Sequence, residues 1–273
     1  MTNARTAKSA REKAAELRAE AAKQEARRKR TMITAAVLAV AVALIGVFVL
    51  IKVAGDNKAA DEAKAKQPPA NLVDGGIGIG QSTAKVKIDL YEDFQCPICQ
   101  QFETANDPQI EAWVKAGTAR VVYHPVSILD RMSTTSYSTR SANASAAVIN
   151  SSPSNWPAFH KALYANQPAE NSAGLTDEKL IELAAAAGVD KNAITTAITK
   201  QQFASWVATV TDGFSKAGYT GTPTVVVNGK KLDTIDPAAV KTAVDAALKG
   251  SADSDSRLRQ PTQGSRLRAA RPG

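Results

Sequence analysis

Apolar and polar positions fall into three regimes along the chain. From Thr31 to Ile51 the 21 residues are all uncharged, most of them Ala, Val, Leu or Ile. A helix rising about 1.5 Å per residue carries such a run across the roughly 30 Å hydrocarbon core of a bilayer. A cleaved signal peptide has a shorter apolar core, about 7–15 residues, behind a short basic leader. Here 30 residues precede the run, so the pattern predicts a retained transmembrane helix over residues 31–52. Arg27, Arg28, Lys29 and Arg30 flank one end and only Lys52 the other. The positive-inside rule then puts the N-terminus in the cytoplasm and everything after Val53 outside. The expectation is a single-pass protein of the cell membrane with an extracytoplasmic domain.

Beyond the apolar run the periodicity changes. Residues 54–70 are small, charged and Pro-containing, which reads as a tether, and Gly75, Gly76, Gly78 and Gly80 extend it into a flexible linker over 53–80. A Gly-rich loop cradles phosphate only between a strand and a helix. A polar linker precedes this one and a strand follows, so nucleotide binding is excluded. Val86, Ile88 and Leu90 alternate with Lys87 and Asp89, predicting a strand over Lys85–Tyr91. A helical pattern runs from the Cys96 region to about Lys115, and a second strand covers Thr118–Tyr123. From about 131 to 218 helical patterns follow at Ser141–Asn150, Trp156–Ala165, Thr176–Ala187 and Gln201–Ala217. Asp177 and Glu178 suit the start of the third. Strand character returns at Pro223–Val227, Asn228-Gly229 signals a hairpin, Lys230–Leu232 returns, and Pro237–Lys249 is a last helix. The prediction is an α/β domain over 81–250, ordered β-α-β, helical block, β-β-α, followed by a disordered basic tail over 251–273.

Charge sharpens this picture. The formal net charge of the 273 residues is +8. Residues 1–30 hold ten Lys/Arg against four Asp/Glu, and residues 251–273 hold five Arg against two Asp. The ends therefore supply +6 and +3, and everything between sums to −1. A nearly neutral domain excludes a basic nucleic-acid-binding fold. The cytosolic segment 1–30 reads as an Ala-rich charged helix, with Ser9 and Glu12 in capping-box spacing. Its basic end could rest on anionic headgroups, or simply enforce topology as a solvated face.

Two cysteines exclude a disulfide-dense scaffold, and two histidines leave little for a His-built metal centre. Cys96 and Cys99 form the C-x-x-C pair that carries the chemistry. Zinc wants four ligands, and His124 and His160 lie too far along the chain to complete a finger, so no metal is expected. A structural disulfide is the bland alternative on an oxidising side of a membrane. Position favours redox activity, because the pair stands where a strand ends and a helix begins, with Pro97 suited to its first turn. Free N–H groups and the helix dipole there stabilise a Cys96 thiolate, making it an exposed nucleophile and a good leaving group. Cys99 lies one turn inside as the shielded resolving thiol. Gly221-Thr222-Pro223-Thr224 opens the later strand; a cis Thr222–Pro223 bond could face Cys96 and pair with an extended substrate, but the residues alone leave the isomer open. Glu92 and Asp93, just before Cys96, are read either as a buried proton partner for Cys99 or as solvated carboxylates at a strand end. His124 reads as a loop residue and His160 as part of an amphipathic helix, neither in a recognisable catalytic arrangement. Trp156, Phe159 and Tyr164 read as core.

Three segments together carry a resemblance: Tyr91-Glu92-Asp93-Phe94-Gln95-Cys96-Pro97-Ile98-Cys99, the run from Phe159 to Pro168, and Gly221 to Gly229. They resemble the thioredoxin superfamily, and more closely the membrane-anchored, DsbA-like thiol:disulfide oxidoreductases of actinobacteria. The resemblance covers roughly residues 75–249. It implies a thioredoxin-like fold with a large helical insertion, a cis Pro223, attack by Cys96 and resolution by Cys99, with no cofactor. It also implies exported protein thiols as substrates and reoxidation by a DsbB or vitamin K epoxide reductase-like quinone reductase. Ile98 departs from the His that well-studied oxidases carry between their cysteines, and an apolar side chain there cannot donate to the Cys96 sulphur. The helical block also lacks the additional cysteines that many relatives carry. Oxidation of exported proteins is the leading expectation. A reductase or isomerase is the second, although residues 54–74 are too short for a dimerisation module. A non-catalytic adaptor with a structural disulfide is the third.

Overall fold

Two compact units divide the chain, Met1–Glu62 and Ala63–Gly273. The computed structural model describes residues 67–258 of the second continuously, with side chains to Ser251, and only scattered helical positions such as Arg27 and Gly46 of the first. Apart from those scattered positions, the predicted membrane helix over 31–52 and the cytosolic segment lie outside the described residues, as does the tail beyond 258. Among those described, no helix is long and apolar enough to cross a membrane.

The second unit is built on a sheet of β1 (Ile77–Ile79), β2 (Val86–Glu92), β3 (Ala119–Pro125), β4 (Thr224–Val227) and β5 (Lys230–Lys231), in the spatial order β1-β3-β2-β4-β5. Central β2 runs parallel to β3, with Ile88 opposite Val121, and antiparallel to β4, with Leu90 opposite Val225. The alternation of Val86, Ile88 and Leu90 is explained by burial, since all three are fully enclosed. Helix α1 (Pro97–Lys115) makes the crossover between β2 and β3. The insertion contains α2 (Tyr137–Ser151), α3 (Trp156–Ala165), α4 (Asp177–Ala186), α5 (Lys191–Thr199) and α6 (Ala204–Lys216), and α7 (Pro237–Leu258) closes the fold. Helix α2 is the axis of the insertion: Ala142, Ala144, Ala146 and Ala147 are buried around it. Small side chains let α3, α4, α5 and α6 pack close, and Trp156 Nε1 donates to Ser145 Oγ at 2.7 Å.

Four sequence expectations are corrected. The predicted linker over 53–80 ends early, because β1 pairs antiparallel to β3 and buries Ile77 completely. Gly76 shows why glycines gather there. A Cβ at that position would lie 2.7 Å from the Tyr123 carbonyl oxygen and 2.7 Å from Val122 Cγ1. Gly76→Ala is expected to cost about 1–3 kcal/mol by overpacking, read as a lower urea midpoint at unchanged m; an unchanged midpoint would contradict this packing. His124 is not a loop residue: it lies in β3, buried, with Nε2 3.1 Å from Asp89 Oδ1. Helix α5 was not anticipated, because its pattern Lys-Asn-Ala-Ile-Thr-Thr-Ala-Ile-Thr is rich in β-branched residues. Tertiary contacts hold it: Asn143 Nδ2 donates to the Ala197 carbonyl at 3.1 Å while its Oδ1 accepts from Phe203 N at 2.8 Å. Finally, α7 continues through Leu258, eight residues into the segment read as a disordered tail.

Candidate active site

Cys96 is the N-cap of α1, in extended backbone at φ −77° and ψ 116°, and Pro97 occupies the first helical turn. The Cys96 N–H closes a turn onto the Asp93 carbonyl at 2.9 Å, so the loop from β2 delivers the sulphur directly to the helix start. Cys96 keeps 6% exposure and Cys99 none. The attacking sulphur is thus less open than its motif suggested, although Pro97 and Ile98 beside it are exposed, Ile98 by 50%. The Thr222–Pro223 bond is cis. The Cys96 thiol donates to the Thr222 carbonyl at 3.3 Å, which brings the two separated halves of the predicted site together.

The two sulphurs are electrostatically unlike. The Cys99 thiol beside Cys96 does most to lower the Cys96 pKa, to about 6, against the effect of burial; the Thr222 side chain and the backbone N–H groups of Ile98 and Cys99 add to it. Burial pushes the Cys99 thiol well above its ordinary value, and the neighbouring Cys96 and Glu92 charges push it further. The same four-residue turn therefore holds one sulphur as a thiolate and the other as a thiol at neutral pH.

Glu92 and Asp93 are both buried, at 3% and 0% exposure, so the reading as solvated carboxylates is wrong for both. The end of β2 is roofed by the helical insertion, which local sequence does not reveal. Their roles diverge. Asp93 accepts from Gln95 N at 2.9 Å, Leu129 N at 2.9 Å and Ser138 Oγ at 2.7 Å, fastening the Cys96 loop to the insertion. Burial nevertheless raises its pKa to about 6. Asp93→Ala is expected to cost about 3 kcal/mol in chemical denaturation, because two backbone donors lose their acceptor in a dry site; a loss below about 1 kcal/mol would contradict this account. Glu92 makes no such backbone contacts. Burial raises its carboxyl to about 8, and its Oε2 lies 3.0 Å from His160 Nε2.

His160 is therefore part of an arrangement after all. It is 3% exposed on α3, stacked on Trp156 with ring centroids 4.7 Å apart. Burial lowers its pKa, which keeps the imidazole neutral. Its other nitrogen, Nδ1, is 3.7 Å from Glu103 Oε2. Among the described residues, Glu92, Glu103 and His160 are the one cluster with His and carboxylate ligand atoms within 4.8 Å of one another. One imidazole uses opposite nitrogens toward the two carboxyls, and a single ion can take only one of its lone pairs. The one hydrogen bond of the cluster joins His160 to Glu92; Glu103 stands beyond hydrogen-bond range of the ring, and burial pushes its carboxyl well above the usual range.

Sequence reasoning missed the residues that hold the loop. Gln167 Nε2 donates to the Phe94 and Cys96 carbonyls, both at 3.0 Å, Gln95 Nε2 donates to the Met132 carbonyl at 2.9 Å, and Gln100 Nε2 donates to the Tyr164 carbonyl at 2.7 Å. The signal available was Gln167 inside the run from Phe159 to Pro168, but nothing local says what it touches. Trp156, Phe159 and Tyr164 are buried core residues, as their spacing predicts.

A β-α-β unit, an antiparallel β-β-α unit, a cis proline and a C-x-x-C pair at a helix start define a protein of the thioredoxin class. Comparison with known proteins agrees: the thioredoxin family profile matches residues 73–246. This chain belongs to the thioredoxin family. Among solved structures, oxidised BdbD from Bacillus subtilis is 25% identical with a TM-score of 0.60, over 68% of this chain and 98% of that one. Reduced DsbA from Mycobacterium tuberculosis is 28% identical with a TM-score of 0.55, over 65% of this chain and 99% of that one. These similar structures are of DsbA-type protein-disulfide oxidoreductases. The serine/threonine-protein kinase PknE of Mycobacterium tuberculosis is 33% identical over 128 residues, 45% of this chain and 23% of the kinase. The chain thus spans about a quarter of the length of the curated kinases it matches.

Proposed function

We propose that this protein catalyses thiol:disulfide exchange outside the cytoplasm and oxidises exported protein substrates through a Cys96–Cys99 disulfide. A substrate thiolate attacks the Cys96 sulphur, the Cys96–Cys99 bond breaks, and Cys99 leaves and takes up a proton. A second substrate thiolate attacks the substrate sulphur of the mixed disulfide and expels Cys96 as a thiolate. The substrate is oxidised by two electrons and the enzyme is left with both cysteines reduced.

The observation that carries this reading is the inequality of the two sulphurs. A Cys96 pKa near 6 makes it a good leaving group at neutral pH, which favours passing the disulfide on to the substrate. Glu92, with its pKa near 8, holds a proton that Cys99 can take as it leaves, and can accept it back in the reverse step. Exposed Pro97 and Ile98 offer apolar contact at the mouth, and the Thr222–Pro223 backbone lies where an extended substrate could add as a strand. Oxidised protein mixed with a reduced, unfolded secretory protein should consume its thiols. No loss beyond that seen with Cys96→Ser would sink the proposal.

The uncharged run over 31–51 supports a membrane anchor with the catalytic domain outside. Alkylation of single cysteines introduced before and after it in intact cells tests that topology. Turnover requires an oxidant for the reduced pair, and a membrane quinone reductase of the DsbB or vitamin K epoxide reductase-like type has the required chemistry.

A further inference from the structure

Helix α6 and the segment 68–75 border a cavity of about 440 Å³ that the exchange chemistry does not use. It lies on the opposite face of the sheet from Trp156, because Tyr123 meets that indole and the next residue, His124, points the other way. Its walls are aromatic: Tyr91 of β2, His124 of β3, and Trp206 and Phe214 of α6. Tyr91 stacks on His124 with ring centroids 4.4 Å apart and meets Phe214 at 5.6 Å. The side-chain donors along these walls are already engaged. Trp206 Nε1 donates to the Gly75 carbonyl at 3.3 Å, Thr209 Oγ1 donates to the Ser205 carbonyl at 2.9 Å, and His124 Nε2 lies 3.1 Å from Asp89 Oδ1. Apart from aliphatic side chains, the cavity is left with ring faces, the half-buried Tyr91 and one charged group, the Asp74 carboxylate. Among the described residues no lysine or arginine joins the lining. Gly213 of α6 lines it too. A glycine inside a helix is destabilising relative to alanine, and neither usual reason for one applies here. Its backbone is helical, and a Cβ would meet nothing within 4 Å. The effect of the missing side chain is to leave the cavity open.

We propose that this aromatic cavity is a binding site for a small organic ammonium ion. The faces of Trp and Tyr rings attract a cation electrostatically, most strongly where water is excluded. A neutral group of the same shape gains only from leaving water. An anion would meet ring faces of the wrong sign and a carboxylate. Asp74 is fixed in place by Arg120 Nη2 at 2.9 Å and Lys87 Nζ at 3.4 Å, both on its Oδ2. Asp89, joined to His124, is likewise paired with Lys87, at 3.1 Å. These two cations offset much of the carboxylate charge, so the ring faces carry the selectivity for a cation. The site does not depend on the exchange reading above.

Choline and its neutral carbon analogue, in which a tert-butyl group replaces the trimethylammonium, share a shape and differ in charge. They therefore separate a cation site from an apolar hole. In full-length protein carrying isotope-labelled tryptophan, the indole N–H signals of the three tryptophans report binding by nuclear magnetic resonance, and Trp206→Phe assigns the one at the cavity. Choline should shift the Trp206 signal with a half-saturation concentration about tenfold below that of the neutral analogue. Gly213→Met puts a side chain into the cavity from a helical position that favours it, and should abolish the choline shift. Thr209→Leu narrows the same cavity one turn earlier and should weaken it, so the test stands even where one variant fails to fold. Equal half-saturation by the two compounds would make the cavity an apolar void and overturn the proposal. A choline shift that survives both variants would place the ligand elsewhere, and the absence of any shift would leave no site; either result overturns it too.

Discussion

Cys99→Ala is expected to move the pH midpoint of Cys96 alkylation upward from about 6, and to leave protein–protein mixed disulfides that do not resolve. The neighbouring Cys99 thiol is the largest influence lowering the Cys96 pKa. Removing it takes away a donor to the thiolate while burial, which opposes ionisation, remains. For wild-type protein the sign follows directly: the reactive thiolate is present above about pH 6 and is lost as pH falls through that value. Iodoacetamide rates measured from pH 4 to pH 9 should therefore rise to a plateau near neutrality. In Cys99→Ala the plateau should move to higher pH. Overall exchange should fall to background in this variant, because Cys96 has no partner with which to form the disulfide that is passed on, and no internal thiol to release a substrate trapped on it. An unshifted midpoint would mean that the helix start alone sets the Cys96 pKa. Normal turnover in the variant would exclude Cys99 as the resolving thiol.

Glu92→Gln should stabilise the reduced protein and impair it at the same time. A carboxyl raised from its ordinary 4.5 to about 8 favours folding most where it is protonated in both states. That stability is present below about pH 4.5 and is lost as pH rises through about 8, because the unfolded chain ionises freely and the folded one does not. Gln keeps the shape and removes the ionisation. The variant should therefore gain about 3 kcal/mol over wild type at pH 7, and about nothing at pH 4. Attack of Cys99 on a Cys96 mixed disulfide, followed by trapping of the remaining free thiols, should slow in the same variant, the usual exchange of activity for stability at a buried functional group. A variant less stable than wild type at pH 7 would show that the Glu92 carboxylate is ionised and paired in the folded state.

The core of this site was legible because its chemistry is local. Cys96, Pro97 and Cys99 occupy one turn, and their spacing at a strand-to-helix junction is enough to assign their backbone environment. The approach of Thr222 to Cys96 was open from the residues alone, since it depends on how two segments 126 positions apart meet. Glu92, Asp93 and His160 were misread for the same reason. Each is polar and sits in an ordinary local pattern, and only the fold shows that the insertion covers the end of β2 and brings α3 against it. Gly76 erred in the opposite direction: glycines usual in a flexible tether are there because β3 leaves no room for a Cβ. Helix α5 shows a further limit, since weak intrinsic propensity is overridden by Asn143 and the packing around α2.

The reduction potential of the Cys96–Cys99 pair decides whether this protein passes its disulfide on to substrates. The protein would be equilibrated in glutathione buffers and its free thiols trapped by alkylation. A thiolate stabilised to a pKa near 6 makes the reduced form more favourable than in a thioredoxin, even with Ile98 between the cysteines. The expected value lies between about −230 and −120 mV, on the oxidising side of thioredoxin. A value at or below about −270 mV, or a pair that never exchanges with the buffer, would contradict it.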